Sequence, residues 1–116
     1  MLAALPPEQF EAFLHERELT AHTRTTITSI ERLREEINEV RKNGVAYDDG
    51  EFDEELRCVA VPVMNFTGRV IGSLGVSGPA LRLSIQNLQR QIGNARIIAE
   101  RLSMELGYRP SSTLAP

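Results

Sequence analysis

The stretch RCVAVPVMNFTGRVIGSLGVSGP, residues 57–79, contains the two runs that decide the fold. Residues 57–64 and 69–77 are rich in β-branched side chains, which favour strands, and the short NFTG segment between them is typical of a turn. Gly78 and Pro79 then end the second run, because proline cannot continue a hydrogen-bonded ladder. The sequence therefore predicts an antiparallel β-hairpin.

The length of the turn sets which residues of the hairpin face each other. If Thr67 and Gly68 form a two-residue turn, the register follows directly from the sequence. Two cross-strand pairs matter most, namely Cys58 with Ser77 and Ala60 with Gly75. A slip by one residue would exchange the two faces of the hairpin, whereas a slip by two would keep them. A loop that is two residues longer than predicted therefore leaves the composition of each face unchanged.

Side chains alternate across a strand, so the hairpin has two different faces. The first is aliphatic and suits the apolar side of a helix, with the members Val59, Val61, Leu74 and Val76. The second is small and weakly polar, with the members Cys58, Ala60, Ser73, Gly75 and Ser77. Small residues leave space and the hydroxyl and thiol groups offer hydrogen bonds, so this face predicts a pocket for a small polar molecule. The same residues would also allow a closely packed helix. Pro62 indicates a sheet edge or a bulge.

Helices are predicted on both sides of the hairpin. Apolar residues recur at steps of three and four within residues 6–15, 23–42 and 84–106, which is the period of an amphipathic helix. Gly44 and Gly107 follow the second and third helices as stops. A threonine is expected to cap the second helix, and the candidates are Thr20, Thr23, Thr25 and Thr26.

The remaining segments link these elements. Residues 45–48 are expected to be extended, and an acidic loop around Gly50 joins them to the hairpin. Residues 109–116 have little to bury and are expected to be disordered. Three helices with an antiparallel sheet predict an α/β domain of the α+β type.

Composition excludes several classes of protein. A chain of 116 residues with 41% apolar and 25% charged residues is ordinary for a globular domain. The net charge of −3 disfavours binding of nucleic acid by these residues, because that binding depends on lysine and arginine. No apolar run approaches the roughly 18 residues of a membrane span, and the start of the chain lacks the basic region of a signal peptide. We therefore expect a cytoplasmic location.

The single cysteine allows alternatives to a pocket wall. Cys58 could act as a nucleophile with His15 or His22 as its base, although both histidines lie in polar segments. Cys58 could also bind a metal ion together with His22 and Asp48. The acidic run lacks the ligand spacing of a calcium loop. We expect a protein that is not an enzyme and that needs neither a metal nor a cofactor.

The order of several short motifs resembles one family. Residues 44–79 closely resemble the signature stretch of the IclR-type bacterial transcription regulators, within their C-terminal effector-binding domain. MLAALPPEQ at residues 1–9, the stretch at 19–48 and RIIAERLSMELGY at 96–108 are similar to flanking helices of that domain. The resemblance covers residues 1–108, which it identifies as the later part of the effector-binding domain.

The resemblance implies a GAF-like fold with a small-molecule cavity on one face of the sheet. Ligands in that family are small organic acids or aromatic compounds. Matched by position, Asp48, Cys58 and Ser77 correspond to polar residues of the family site, and Gly75 stands where a hydroxyl is often found. The missing hydroxyl removes one donor and leaves room for a larger or less polar effector. The candidate effector site is therefore Asp48, Cys58, Ala60, Ser73, Gly75 and Ser77.

The resemblance also implies partners. Members of the family bind DNA through an N-terminal winged helix-turn-helix, which we expect to be absent from these residues, and they form homodimers or homotetramers. The implied function is sensing of a small molecule, whose binding shifts the geometry of the oligomer and so the binding of DNA. The alternative is a GAF-like module that only oligomerises and binds no ligand.

Overall fold

The structure is a computed structural model, and it describes residues 1–110 except for the side chain of Ile85. The expectation of a disordered tail falls mainly on residues 111–116, which lie outside the described residues. The chain begins with a 3-10 helix at Leu2–Ala4. The remaining elements are α1 (Pro7–Glu16), α2 (Ile30–Asn43), β1 (Ala46–Asp49), β2 (Leu56–Met64), β3 (Val70–Pro79) and α3 (Ile85–Glu105). The predicted α+β class is confirmed.

The three strands form one antiparallel sheet in the order β1-β2-β3. The predicted register is confirmed over most of the hairpin, because Cys58 pairs with Ser77 and Ala60 pairs with Gly75. β3 continues to Pro79, two residues further than predicted. This register confirms the two faces of the hairpin that the alternation of side chains predicts.

The predicted two-residue turn is wrong. The register shifts between Val63 and Met64, and the loop closes with the Asn65 N–H donating to the carbonyl oxygen of Arg69 at 2.9 Å. The Asn65 side-chain oxygen accepts hydrogen bonds from the backbone N–H groups of Thr67 and Arg69, at 2.9 and 3.2 Å. This side chain organises a longer loop, which pattern alone does not reveal.

Pro62 lies where the sheet is locally open on one side. β1 pairs with β2 only as far as Ala60, so within residues 1–110 the end of β2 has no strand partner on that side. Instead, the Met64 N–H donates to the hydroxyl of Ser103 in α3 at 3.0 Å. The predicted edge or bulge at Pro62 is therefore confirmed.

The aliphatic face of the sheet forms the main core. Val59 is fully buried, and Val61 and Val63 are nearly so. They pack against one side of α3, and Leu74, Val76 and Leu88 complete the cluster at partly buried positions. The α3 residues in this core are Ile92, Ala95 and Ala99. The predicted helix-binding face is confirmed, and α3 ends before Gly107, which has a φ of 89°.

A second apolar cluster joins α1, α2 and the 3-10 helix. Phe10, Leu14 and Ile37 are buried at its centre. Leu2, in the 3-10 helix, and Leu5, directly after it, pack against this cluster at partly buried positions. Through this cluster, the 3-10 helix at the start of the chain packs against α2.

The predicted start of the second helix is wrong, because α2 begins at Ile30 and not near residue 23. The hydroxyl of Thr23 donates to the Gly50 carbonyl at 2.6 Å, and the hydroxyl of Thr25 donates to the same oxygen at 2.9 Å. Threonine hydroxyls that bond to distant backbone compete with helix formation. The cap is Ser29, and no threonine fills that role.

Among the helices within residues 1–110, none combines the length and the apolar character needed to cross a bilayer.

Candidate functional site

The predicted site residues form a continuous patch across the three strands. Asp48 of β1 pairs with Cys58 of β2, and Cys58 pairs in turn with Ser77 of β3. The next rows of the ladder contain Ala60 with Gly75 and Pro62 with Ser73. Side chains of directly opposed residues lie on the same face of an antiparallel sheet. All six predicted residues therefore share one face.

This face is small and largely open. Ser73, Gly75 and Ser77 are exposed, whereas Cys58 and Ala60 are half-buried. A Cβ atom built on Gly75 would lie 3.3 Å from the Val59 carbonyl oxygen and 3.7 Å from the Cys58 sulfur. The three nearest atoms to that Cβ all belong to β2, so within residues 1–110 no side chain of another element approaches Gly75 more closely than these.

A cavity of about 290 Å³ lies at one end of this face. Its walls come from the 3-10 helix, the last turn of α2, β1 and the turn end of the hairpin. Ala60 and Ser73 are the predicted site residues that line it. The other lining residues are Met1, Ala3, Ala4, Val40, Arg41, Gly44, Ala46, Val61, Pro62, Met64, Val70 and Gly72. The cavity is mostly apolar with a few polar groups, which is the usual character of a small-molecule site.

Arg41 provides the one charged side chain of this lining, and sequence reasoning missed it. Its Nε atom donates to the Ala3 carbonyl oxygen at 2.9 Å, and its guanidinium carbon lies 5.1 Å from the centre of the Phe10 ring. These contacts join the last turn of α2 to the 3-10 helix. The position of Arg41 depends on that tertiary contact, so no local pattern could have placed it at a cavity.

Four predicted residues lie on the same face but outside the cavity lining: Asp48, Cys58, Gly75 and Ser77. Asp48 already uses one carboxylate oxygen to accept the Glu51 N–H at 2.9 Å. Cys58 is not part of a disulfide, and its thiol donates to the Val59 carbonyl oxygen at 3.6 Å. The structure thus brings the six residues together, with Ala60 and Ser73 at the cavity and the others beside it.

Among the hydrogen bonds of residues 1–110, none joins either histidine to Cys58. His15 is exposed and lies 3.8 Å from Glu11 one turn earlier in α1. The His22 ring packs against Phe52, with ring centres 5.0 Å apart. A search of residues 1–110 finds no cluster of three or more histidine, cysteine or acidic side chains that could hold a metal ion. The alternative of a metal site at His22, Cys58 and Asp48 is therefore wrong for the described residues.

The acidic loop beside Asp48 contains one perturbed carboxyl group. Partial burial raises the pKa of Glu51 above its usual 4.5, and the negative charges of Asp48 and Glu36 raise it further. The Thr26 hydroxyl holds this residue in place through its backbone carbonyl. The threonine segment therefore fixes Glu51 near other acidic groups, where its negative charge is unfavourable.

Glu51→Gln is expected to stabilise the protein at pH 7. The folded state binds the Glu51 proton more tightly than the unfolded state does, so the wild type loses stability as pH rises from about 4.5 through the raised pKa. We expect a gain below about 1 kcal/mol, since solvent screens this half-exposed group. Urea unfolding at pH 7 and pH 4 measures the change in the free energy of unfolding. Glu54→Gln is the control, because it removes one negative charge from an exposed position of the same loop. A gain that is equal at both pH values would contradict this.

Comparison with known proteins agrees with the resemblance seen in the sequence. Residues 1–104 match the family described as bacterial transcriptional regulator IclR C-terminal. The chain is 36% identical over 108 residues to the HTH-type transcriptional regulator KdgR of Escherichia coli strain K12, covering 93% of this chain and 41% of KdgR. The chain thus spans about two-fifths of that relative.

Solved structures support the same assignment. The crystal structure of the C-terminal domain of E. coli KdgR matches with a TM-score of 0.85 and 36% identity, over 92% of this chain and 65% of that one. A double mutant of the inducer binding domain of the PobR transcription factor from Acinetobacter, in complex with 3-hydroxybenzoic acid, matches with a TM-score of 0.83 and 26% identity, over 88% of this chain and 59% of that one. The relatives are transcriptional regulators and not enzymes. The chain belongs to the IclR family of bacterial transcriptional regulators and corresponds to part of their C-terminal domain.

Proposed function

We propose that this chain is the small-molecule sensor of an IclR-type regulator, and that the effector binds on the small face of the sheet. The observation that carries the proposal is the cavity of about 290 Å³ bordered by Ala60 and Ser73. Its volume lies near the lower end of the range of about 300–1,000 Å³ typical of ligand pockets. An effector of the size of a single aromatic ring or a short organic acid suits it.

The remaining predicted residues would extend the site along the sheet. Cys58 and Ser77 lie in the ladder row next to Ala60 and Gly75, and their thiol and hydroxyl groups can hydrogen-bond a polar substituent. Gly75 and Ser77 are exposed, which leaves room along the sheet for a ligand larger than the cavity itself. Asp48 ends this row and is half-buried, so it would favour a ligand with a donor group at that end.

The comparison with PobR supports the same class of ligand. A double mutant of that relative's inducer binding domain holds 3-hydroxybenzoic acid, and its fold matches this chain with a TM-score of 0.83. Arg41 gives the cavity of this chain a positive charge beside apolar walls. An aromatic or aliphatic carboxylate would match both features, because its body is apolar and its charge is negative.

Regulation would follow from a change in populations. A ligand shifts an equilibrium between two arrangements only as far as it binds one of them more tightly. We propose that the effector favours one arrangement of subunits and so alters how separate DNA-binding domains are spaced. DNA would then be bound outside residues 1–108, and the whole regulator would act in the cytoplasm.

A thermal-shift screen tests the proposal. A ligand that binds only the folded state at ten times its dissociation constant adds about 1.4 kcal/mol of stability. For a domain of this size we expect the melting temperature to rise by about 6 °C. The panel would contain short aliphatic carboxylates, benzoate and hydroxybenzoates, with benzamide as the neutral control. If no member raises the melting temperature at about 10 mM, the alternative of a purely structural module is favoured.

A further inference from the structure

A second cavity lies on the α3 side of the open edge of β2, outside the candidate effector site. Its volume of about 490 Å³ falls within the range typical of small-molecule sites. We call it the edge groove, and its lining includes Asn43, Val61, Pro62, Arg96, Ala99 and Glu100. The edge groove therefore joins the end of α2, the edge of β2 and the second half of α3.

The floor of the edge groove is apolar. Val61 and Ala99 are 2% and 3% exposed, and Pro62 is half-buried. This part of β2 cannot accept a further strand in a regular ladder, because Pro62 lacks an N–H and the Met64 N–H already donates to the Ser103 hydroxyl. We therefore expect the floor to suit the apolar side chain of a small molecule better than an extended peptide.

The rim of the edge groove carries one cation and one anion. Arg96 and Glu100 are exposed and lie one turn apart on α3, where side chains four residues apart are neighbours. They do not pair with each other, because none of the ion pairs within residues 1–110 contains either residue. The Arg96 guanidinium instead donates to the Asn43 carbonyl oxygen at 2.8 Å, at the end of α2. The edge groove thus presents a separate positive and negative charge above an apolar floor.

We propose that the edge groove binds a free α-amino acid with an aliphatic side chain. The carboxylate of the ligand pairs with Arg96, its ammonium group pairs with Glu100, and its side chain lies on the apolar floor. A simple carboxylate would leave Glu100 without a partner, and a simple amine would leave Arg96 without one, so a zwitterion matches the groove best. This ligand differs in class from the carboxylate proposed for the first cavity, and its binding does not depend on the proposed sensing function.

An NMR titration of the isotope-labelled chain with L-leucine tests this site, because backbone amide signals distinguish the two cavities. Ala99 and Glu100 line only the edge groove, whereas Ala60 and Ser73 line only the first cavity. We expect L-leucine to shift the signals of Ala99 and Glu100 with a dissociation constant of about 1 mM. Isocaproate, which lacks the ammonium group, and isoamylamine, which lacks the carboxylate, should shift these two signals at least about tenfold more weakly. No saturable shift of Ala99 and Glu100 at about 10 mM L-leucine overturns the proposal.

Single substitutions assign the two charges of the edge groove. Glu100→Gln should bind L-leucine and isocaproate about equally, because the ammonium group then has no carboxylate to pair with. Arg96→Gln should likewise bind L-leucine and isoamylamine about equally. Arg101→Gln and Glu105→Gln are the matched controls, since both residues are exposed on α3 outside the groove and should leave the affinity unchanged. The Glu100 side chain takes part in no ion pair within residues 1–110, so Glu100→Gln is expected to stay folded even if Arg96→Gln loosens the end of α2. Equal binding of all three ligands by the wild type, or a full preference for L-leucine in Glu100→Gln, overturns the proposal.

Discussion

Ala60→Phe is expected to abolish the stabilisation of this protein by its effector, with a loss of affinity of at least about a hundredfold, or 2.7 kcal/mol. Ala60 is half-buried in β2 and lines the cavity of about 290 Å³. A phenyl ring at this position occupies space that the ligand needs, and it does so beside apolar walls that tolerate it. The protein should therefore stay folded while the site is filled.

Isothermal titration with a ligand from the thermal-shift screen measures this loss. Ala21→Phe is the matched control, because Ala21 is exposed and is not part of the cavity lining. Ser73→Leu provides a second variant at an exposed position of the same lining, in case Ala60→Phe disturbs the sheet. Unchanged affinity in both cavity variants would show that the ligand binds elsewhere.

Leu14→Ala is expected to lower the free energy of unfolding by about 2–5 kcal/mol, the usual range when a buried leucine is truncated and a cavity remains. Leu14 is 2% exposed at the centre of the cluster formed by α1 and α2. The same cluster supports Leu2 and Leu5, which hold the 3-10 helix that forms one wall of the cavity. The substitution should therefore weaken ligand binding as well as the fold.

Urea unfolding measures the change in stability, with the slope of the transition compared between variants. Leu81→Ala is the control, because it removes the same atoms from a fully exposed position and should change stability by less than about 0.5 kcal/mol. A loss below about 1 kcal/mol for Leu14→Ala would contradict the view that this cluster supports the cavity wall.

The hairpin was largely predictable because its pattern is local. Alternation of side chains identified the buried face of Val59 and Val61 and the small face of Cys58 and Ser77, and both hold in the structure. The register was also correct up to Val63, since the loop change is absorbed by a bulge after that residue. A local pattern is sufficient where alternate burial decides the structure.

The start of α2 and the position of Arg41 depend on contacts between distant segments, so the local sequence pattern did not predict them correctly. Residues 23–29 continue the apolar spacing of a helix, yet threonine hydroxyls bond to the backbone of the acidic loop and α2 starts only at Ile30. Arg41 likewise looks like an ordinary basic residue in the last turn of a helix. Only the approach of the 3-10 helix to α2 places it at a cavity. Tertiary hydrogen bonds of this kind leave no periodic signal.

The candidate site combines residues that a local pattern predicts with a cavity that depends on contacts between distant segments. Family resemblance and face alternation placed the six predicted residues on one surface, and the ladder confirms that they are neighbours. The cavity, however, is shifted toward the turn end of the hairpin, because the 3-10 helix forms its wall together with Ala60 and Pro62, whereas Gly75 and Ser77 are exposed and lie outside its lining.

The most direct test of the central claim is an NMR titration of the isotope-labelled chain with the carboxylates of the thermal-shift panel, including 3-hydroxybenzoate. The account predicts that the backbone amide signals of Ala60, Ser73 and Gly75 shift together and saturate, whereas the signal of Ile97, an exposed residue of α3 outside the cavity lining, does not respond directly. Absence of any shift at about 10 mM ligand, or shifts that avoid the small face of the sheet, would contradict the claim that this domain binds its effector there.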